Sequence, residues 1–250
     1  EEDEKTDDKK DNGDKENNGN GEKCPDNGKA KNGKDKEGED ESEEDVIETD
    51  RPDFTEASST VGRGRIQLEA GYTYLRDRNQ GGRFEAHSYP EMILRIGLFA
   101  DWFELRIGQN FANEFRNENG KVTSPGGPQD LYLGVKLGLT QQKDALPEMA
   151  LILQMTVPTG VDAFNAESIM PGINLLYGWD IIKDCLTLGG STQANRALGV
   201  AFPGGVDLLE PGDHFYVELA QSLTIGYTLT KKLGMYTEWF AFFPTSSHDP

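Results

Sequence analysis

The 250-residue sequence is poor in basic residues and cysteine, and it has no long apolar run. Lys and Arg number 25 against 44 Asp and Glu, so the basic patch with which nucleic-acid binding begins is missing. No stretch of about 18 apolar residues is present, which excludes a transmembrane helix but not membrane-spanning strands, which are half polar. Two cysteines, Cys24 and Cys185, do not make the bridge framework of small secreted domains, and we expect no disulfide.

Negative charge is concentrated in the first 48 residues. They hold 20 acidic and 9 basic residues and almost no aliphatic or aromatic ones, so they bury too little surface to offset the entropy of ordering. We expect a disordered acidic tail over residues 1–48. Its Asp and Asn-Gly pairs lack the alternating ligands and the closing Glu of a calcium loop. The sequence predicts no metal site and no cofactor.

Residues for catalysis are also scarce. The three histidines, His87, His214 and His248, lie in or near predicted loops. No Ser-His-Asp spacing and no Gly-x-Ser-x-Gly turn accompanies them. We predict no catalytic residues and no enzymatic activity.

From Arg65 onward, apolar and polar residues alternate in segments of about 10 residues, the pattern of strands with two chemically different faces. In the first segment, Ile66 and Leu68 share one face and Gln67 and Glu69 the other. The last segment is aromatic on both faces, so the sequence does not show which of its faces points inward. Nine segments are predicted as strands: 66–74, 91–98, 103–111, 130–139, 149–157, 173–180, 185–193, 215–229 and 233–243.

The connections between these segments alternate in length. Short ones follow the even-numbered segments, near Asp101, Lys143, Lys183 and Lys231, and longer ones follow the odd-numbered segments. Outer-membrane barrels have this arrangement, with tight periplasmic turns and longer outer loops. We therefore predict an antiparallel transmembrane β-barrel over residues 65–250, in the outer membrane, with the N-terminal tail in the periplasm. Because an odd strand count leaves an unpaired edge, we expect the barrel to continue past Pro250 to about 12 strands.

Charged residues on the polar faces are predicted to line a lumen. A basic side chain facing lipid at mid-depth costs about 2 to 4 kcal/mol. Simple registers place Glu69 beside Arg95 and Glu104 opposite Lys136. Such charges could select solutes by their charge, or they could only stiffen the barrel wall. The lumen-lining candidates are Glu69, Glu91, Arg95, Glu104, Arg106, Lys136, Asp180 and Glu218.

Residues 49–56, Thr-Asp-Arg-Pro-Asp-Phe-Thr-Glu, precede Gln-Leu-Glu-Ala-Gly-Tyr at 67–72 in the first strand. This combination resembles the outer-membrane channel family named for the MetA pathway of phenol degradation. The likeness runs from about Thr49 to the end of the chain. It implies a barrel transporter associated with the breakdown of aromatic compounds.

Residues 49–64, called here the lead-in segment, come directly before the first strand. They carry the charged residues Asp50, Arg51 and Asp53. The segment could enter the periplasmic mouth and pair with wall charges as a plug or latch. Alternatively, it could be an ordered connection in which Arg51 braces the rim.

Together these patterns predict a channel for passive transport of small solutes, with aromatic or apolar compounds as candidates. The expected partners are the lipid bilayer of the outer membrane and small-molecule solutes, with no nucleic acid, and the oligomeric state stays open. One alternative is a structural or adhesive barrel without an open pore. Another is a soluble lipocalin-like binding barrel, which would need its apolar face to point inward.

Overall fold

The computed structural model describes residues 47–50, 54–79, 82–118, 120–183, 185–198, 215–230 and 233–245. The predicted acidic tail, except for Ile47 and Glu48, lies outside these residues. Within the described part of the chain, no helix is both long and apolar enough to cross a membrane.

The described residues form fourteen β-strands and one 3-10 helix, Asp162–Phe164. Alternation of apolar residues with polar ones or glycine favours this extended backbone, because successive side chains of a strand point to opposite faces. The strands are β1 Ile66–Glu69, β2 Thr73–Asn79, β3 Gly82–Ser88, β4 Met92–Gly97, β5 Phe103–Gln109, β6 Phe111–Glu118, β7 Lys121–Thr123, β8 Gly126–Pro128, β9 Leu131–Thr140, β10 Glu148–Val157, β11 Met170–Ile182, β12 Leu186–Leu198, β13 Phe215–Thr230 and β14 Leu233–Thr245.

Nine strands pair into one main sheet in the order β1-β4-β5-β9-β10-β11-β12-β13-β14. All eight pairings are antiparallel. The predicted all-β, antiparallel architecture is confirmed, but the described residues form fourteen strands rather than the nine predicted, and nine of them make up this sheet. Because neighbours in the sheet are also successive along the chain, apart from the excursions through β2, β3 and β6 to β8, the sheet is an up-and-down meander.

The remaining strands, β2, β3, β6, β7 and β8, form a second antiparallel sheet. Gly71 and Glu91 exchange backbone hydrogen bonds of 3.1 and 2.9 Å, so β2 and β3 continue the hairpin of β1 and β4 past a local break. The alternation of apolar and polar residues predicted a strand in this region only up to residue 74. Two of the long connections are therefore partly strand rather than irregular loop.

Connection lengths alternate along the main sheet as predicted. We call the end with brief connections the short-turn end and the opposite end the long-loop end. The brief connections are residues 98–102, 141–147, 183–185 and 231–232, and the long ones are 70–91, 110–130, 158–169 and 199–214.

The two faces of the main sheet are chemically opposite. On the outer face Leu68 is 65% exposed, and Leu153 and Ile225 are each 48% exposed. On the inner face Glu104 and Lys136 are fully buried. A soluble sheet buries its apolar face and leaves the polar one in water, and this sheet does the reverse.

The main sheet is strongly curved, because one short segment contacts both of its edge strands. The backbone N–H of Asp50 donates to Glu69 of β1 at 2.9 Å, and that of Phe54 donates to Glu238 of β14 at 3.0 Å. Four residues span at most about 14 Å, or roughly 30 Å with both glutamate side chains and their hydrogen bonds. In a flat sheet the edges would lie about 38 Å apart. The edges are therefore turned toward each other around the lead-in segment.

The lead-in segment reverses direction at Gly62 and Gly64, whose φ angles of +74° and +76° suit glycine. Its backbone then lies directly on β4. A Cβ placed on Gly97 would sit 1.6 Å from the carbonyl oxygen of Gly62. Glycine at 97 thus lets the segment fold back into the concave side of the sheet.

The expectation of no disulfide is wrong, because Cys185 is disulfide-bonded. Cys185 is buried at the short-turn end, between β11 and β12. Cys24, the only other cysteine of the sequence, lies outside the described residues. Two isolated cysteines form no spacing pattern, so the sequence carries no signal for their pairing.

Candidate functional site

A buried cluster of charges lies between the inner face of the main sheet and the lead-in segment. The sheet supplies Arg95 from β4, Glu104 and Arg106 from β5, and Lys136 from β9. Asp50 enters from the lead-in segment and is 4% exposed. The cluster thus joins the wall to the segment that crosses it.

Arg95 and Glu104 form the best-aligned pair of the cluster. The guanidinium donates two hydrogen bonds to the carboxylate, from Nε at 2.8 Å and from Nη2 at 3.0 Å. Its Nη1 also donates to Glu69 at 3.2 Å. Two-point contact fixes the guanidinium plane as well as its charge, so Arg95 is held rigidly against the wall.

Arg95 and Arg106 are directly opposite in the β4–β5 register, an arrangement of like charges that is unfavourable on its own. The carboxylate of Asp50 lies between them. Its Oδ2 is 2.7 Å from Nη1 of Arg106 and 3.3 Å from Nη1 of Arg95. Oε1 of Glu104 also lies 2.8 Å from Arg95 and 3.2 Å from Arg106. The wall and the lead-in segment therefore each supply a carboxylate that allows the two guanidinium groups to face each other.

Lys136 depends on the lead-in segment for its hydrogen bonds. Its Nζ donates to the carbonyl oxygens of Ala57 at 2.9 Å and Ser59 at 3.2 Å, and it lies 3.4 Å from both carboxylate oxygens of Asp50. Among the described residues, every hydrogen-bond acceptor of this ammonium belongs to the segment. The ammonium is fully buried, so removing the segment would leave it without these acceptors, with Glu104 of the neighbouring strand as its nearby wall carboxylate.

Glu56 adds a second carboxylate from the lead-in segment and accepts a hydrogen bond from Nη2 of Arg106 at 2.8 Å. With it the cluster has three cations and four carboxylates. Two of those carboxylates, Asp50 and Glu56, come from the segment, so the wall alone carries one excess positive charge. The cluster members are Arg95, Arg106, Lys136, Asp50, Glu56, Glu69 and Glu104.

Asp50 is the acid most closely surrounded by positive charge. Burial alone would raise the pKa of its carboxyl, but the charges of Lys136, Arg106 and Arg95 outweigh that effect and lower the pKa from 3.8 to about 2. A lowered pKa means that the ionised acid favours the docked segment. Docking therefore has its full electrostatic support above pH 3.8 and loses it as the pH falls toward 2.

A pH-dependent release of the lead-in segment follows. We expect pepsin to cleave the intact protein at Phe54 slowly near pH 4 and roughly tenfold faster near pH 2.5, because the undocked carboxyl, whose pKa is 3.8, takes up a proton more readily than the docked one, whose pKa is about 2. A free peptide of residues 47–61, digested in parallel, corrects for the pH profile of pepsin. In Asp50→Asn this pH step should disappear. A corrected rate that is constant between pH 4 and 2.5 in the parent chain would contradict the expectation.

A second anchor holds the lead-in segment on β14. Phe54 stacks on Phe240 with ring centroids 5.1 Å apart and meets Phe242 edge-on at 5.3 Å. The N–H groups of Phe54 and Thr55 donate to the Glu238 carboxylate at 3.0 and 2.6 Å. These contacts, with the β13–β14 register, place Glu238, Phe240 and Phe242 on the inner face.

The wall formed by β10 to β13 presents mostly neutral residues to the lead-in segment, apart from Glu148, which contacts Ser58. Asn174, Ser191 and Ser222 are buried there, and the Thr55 hydroxyl donates to Ser222 at 2.6 Å. A Cβ on Gly178 would lie 3.0 Å from Oγ of Ser58. Small residues on this wall thus make room for the segment.

A cavity of about 1320 Å³ remains between the lead-in segment and the wall. It is lined by the lead-in segment, by β1 and Arg95, and by β11 to β13 with Glu148 of β10. Tyr177, Trp179, Glu148 and Asp180 contribute to the wall side. The concave side of the sheet therefore contains both a docked segment and unfilled space.

The structure brings together five of the predicted lumen residues, Glu69, Arg95, Glu104, Arg106 and Lys136, with Asp50 of the predicted plug. The Glu104–Lys136 register is as expected. Glu69 lies opposite Ile93 and reaches Arg95 diagonally.

Three predicted lumen residues lie apart from the cluster. Glu91 is half-buried at the break between β3 and β4, and Asp180 is exposed near the short-turn end of β11. Glu218 is half-buried in β13 and accepts a hydrogen bond from Tyr216 at 3.4 Å. The plug candidates Arg51 and Asp53 lie outside the described residues.

The histidines considered as catalytic bases are also separate from the cluster. His87 lies in β3 of the second sheet, with its Nδ1 2.8 Å from the Tyr72 hydroxyl. His214 and His248 lie outside the described residues.

Sequence reasoning missed Glu56, Ser58, Glu148 and Glu238. Ser58 donates to Glu148 at 2.7 Å, which fastens the lead-in segment to β10. Glu56 stands in the Thr-Asp-Arg-Pro-Asp-Phe-Thr-Glu stretch and could have been found as a second acid in the same segment. Glu238 could not, because its strand shows no alternation.

Sequence comparison adds a family to this geometry. No curated protein matches the sequence. A family profile matches residues 49–249, from the lead-in segment through the last described strand. The match thus includes both halves of the charged cluster. Because it covers most of the chain, the protein belongs to the family described as "Putative MetA-pathway of phenol degradation".

Proposed function

We propose that the protein is an outer-membrane β-barrel that passes small solutes by diffusion and is held closed by its lead-in segment. The observation that carries this proposal is the inverted sheet, with apolar rows exposed on the outer face and ion pairs buried on the inner face. Large exposed apolar surfaces mark contacts with a membrane or a partner. Lipid against the outer face explains why apolar residues are exposed across the whole main sheet.

Three features support a barrel in the outer membrane. The sheet curves until both edge strands contact one short segment. Turn lengths alternate as in outer-membrane barrels. Exposed aromatic residues occur near both ends, with Trp102 and Tyr227 toward the short-turn end and Tyr72 and Tyr74 toward the other. Aromatic girdles at the two lipid–water boundaries have this distribution.

The lead-in segment supports a periplasmic position for the N-terminal tail. Thr60 donates to the carbonyl oxygen of Asp101, and Arg63 N–H donates to its carboxylate at 2.9 Å. Asp101 lies in the turn between β4 and β5, so the segment enters from the short-turn end. In outer-membrane barrels that end faces the periplasm.

The proposed solutes are small and include aromatic compounds. The family description refers to phenol degradation, which favours ring compounds as cargo. The cavity of about 1320 Å³ beside the segment offers room for molecules of this size.

A structural barrel without an open pore is the second candidate. Full burial of Glu104, Arg106 and Lys136 favours it, since a permanently docked segment would leave the lumen blocked. A soluble lipocalin-like barrel has less support, because it needs the apolar rows inside.

Liposome swelling tests the proposal. The full chain, reconstituted into vesicles, should admit small neutral sugars faster than protein-free vesicles do, and variants with a weakened lead-in segment should admit them faster still. Molecules several times larger should be excluded by the closed wall. The channel would be contradicted if swelling rates were equal with and without protein, both for the parent chain and for variants with a weakened lead-in segment. That result would favour the structural barrel.

A further inference from the structure

We propose that Arg95, Arg106 and Lys136 form a binding site for the carboxylate of a small organic anion, and that Asp50 occupies this site when the lead-in segment is docked. The inference rests on the proposed channel, since it names the class of passing solute that these groups would hold. In this view the segment is a tethered competitor of the solute.

The contacts of Asp50 define the site. One carboxylate oxygen lies 2.7 Å from Arg106 and 3.3 Å from Arg95, and both oxygens lie 3.4 Å from the Lys136 ammonium. All three cations project from neighbouring strands of the wall, so the site persists when the acid leaves. A carboxylate on a small molecule offers the same two oxygens and the same charge.

Two observations indicate that the wall needs an anion. Lys136 is fully buried, and its acceptors among the described residues all belong to the lead-in segment. The Nε–H of Arg106 is also buried and has no hydrogen-bond partner in the described part of the chain. Buried cations are unfavourable unless they are paired or hydrated. An undocked segment would leave these donors for water or for an incoming anion.

Charge placement localises the anion to one side of the lumen. Without Asp50 and Glu56, the wall cluster keeps three cations and two carboxylates, Glu69 and Glu104. The facing wall offers neutral groups such as Asn174 and Ser191. It also carries the carboxylates of Glu148 and Glu238, which repel an anion. A carboxylate would therefore lie on the β4–β5–β9 side. An apolar body attached to it would extend into the space that the segment leaves and toward the cavity, which Arg95 borders.

The lead-in segment should weaken this binding by competition. A tethered group acts at an effective concentration in the millimolar range or above, so the parent chain should bind free carboxylates weakly. Removing the two competing charges in Asp50→Asn/Glu56→Gln leaves the wall intact. We expect the apparent affinity for benzoate to rise at least about tenfold.

Calorimetric titration of the full chain in detergent tests the site, with benzoate as the probe. Benzyl alcohol and benzylammonium serve as neutral and positively charged ligands of similar size. Benzoate should bind Asp50→Asn/Glu56→Gln at least about tenfold more tightly than the parent chain, and adding Lys136→Gln should reverse that gain. Asp144→Asn, in an exposed turn, is the matched control and should bind like the parent.

Two results would overturn the proposal. One is equal binding of benzoate to the parent chain and to the double variant. The other is equal binding of benzoate and benzyl alcohol to the double variant. This comparison uses one protein, so it does not depend on whether another variant folds. Swelling separates this inference from the channel. Solute flux without preferential binding of benzoate would support the channel and contradict the site. Preferential binding of benzoate without flux would support the site and contradict the channel.

Discussion

In planar bilayers, the double variant Asp50→Asn/Glu56→Gln is expected to be open far more of the time than the parent chain. Asn and Gln keep nearly the shape of the two acids but remove the charges that Arg106 contacts at 2.7 and 2.8 Å. Lys136 then keeps only neutral acceptors in the lead-in segment, the carbonyl oxygens of Ala57 and Ser59 and the new amide oxygen at position 50. The docked arrangement becomes a set of buried cations with too few anions.

The size of the effect follows from the burial of these pairs. Removing one partner of a buried ion pair costs about 3 to 5 kcal/mol when the other charge stays in place. Here the segment can move away, so the cost appears as undocking rather than unfolding. A loss of about 3 kcal/mol corresponds to roughly a hundredfold change in the ratio of open to closed channels. Single-channel recording measures that ratio as open probability.

Asp144→Asn removes a carboxylate from the exposed turn between β9 and β10 and should leave the open probability unchanged. Ser58→Ala, which loses one hydrogen bond to Glu148, should give a small increase at most. If the double variant and Asp144→Asn conduct alike, the lead-in segment is not the gate.

The alternation of residues was sufficient to predict the main sheet and the orientation of its faces. A charge such as Lys136 between Val135 and Leu137 can lie only on the side opposite its apolar neighbours. Register followed from the same alternation even across a long connection, since Glu104 lies opposite Lys136 as predicted although residues 110–130 separate their strands. Local pattern and tertiary structure agree wherever one face is uniformly apolar.

The depth to which the lead-in segment enters was not predictable. Asp50 lies 86 residues before Lys136 in sequence, yet they are 3.4 Å apart. No periodicity links an irregular segment to a particular strand, so contact partners such as Glu238 depend on curvature that emerges only when the sheet is complete. The places of Gly97 and Gly178, which leave room for the segment, likewise become meaningful only once the segment is docked.

Leu153→Arg should prevent efficient insertion of the protein into lipid vesicles. Leu153 lies near the middle of β10 on the outer face and is 48% exposed. Arginine facing lipid near the bilayer midplane costs about 2 to 4 kcal/mol, whereas the same change on a water-facing surface alters stability by about 0.5 kcal/mol or less. Urea titration of folding in vesicles measures the difference.

The neighbouring residue provides the matched control, because it lies on the other face of the same strand at nearly the same depth. Gln154 accepts a hydrogen bond from Tyr132 at 3.1 Å and donates to Asn195 at 2.9 Å. Gln154→Arg keeps a donor for Asn195 and loses one acceptor, a cost of about 1 kcal/mol. The charge itself would face a wet lumen. Leu153→Arg should therefore be the more damaging change, and the opposite order would mean that the apolar rows contact something other than lipid.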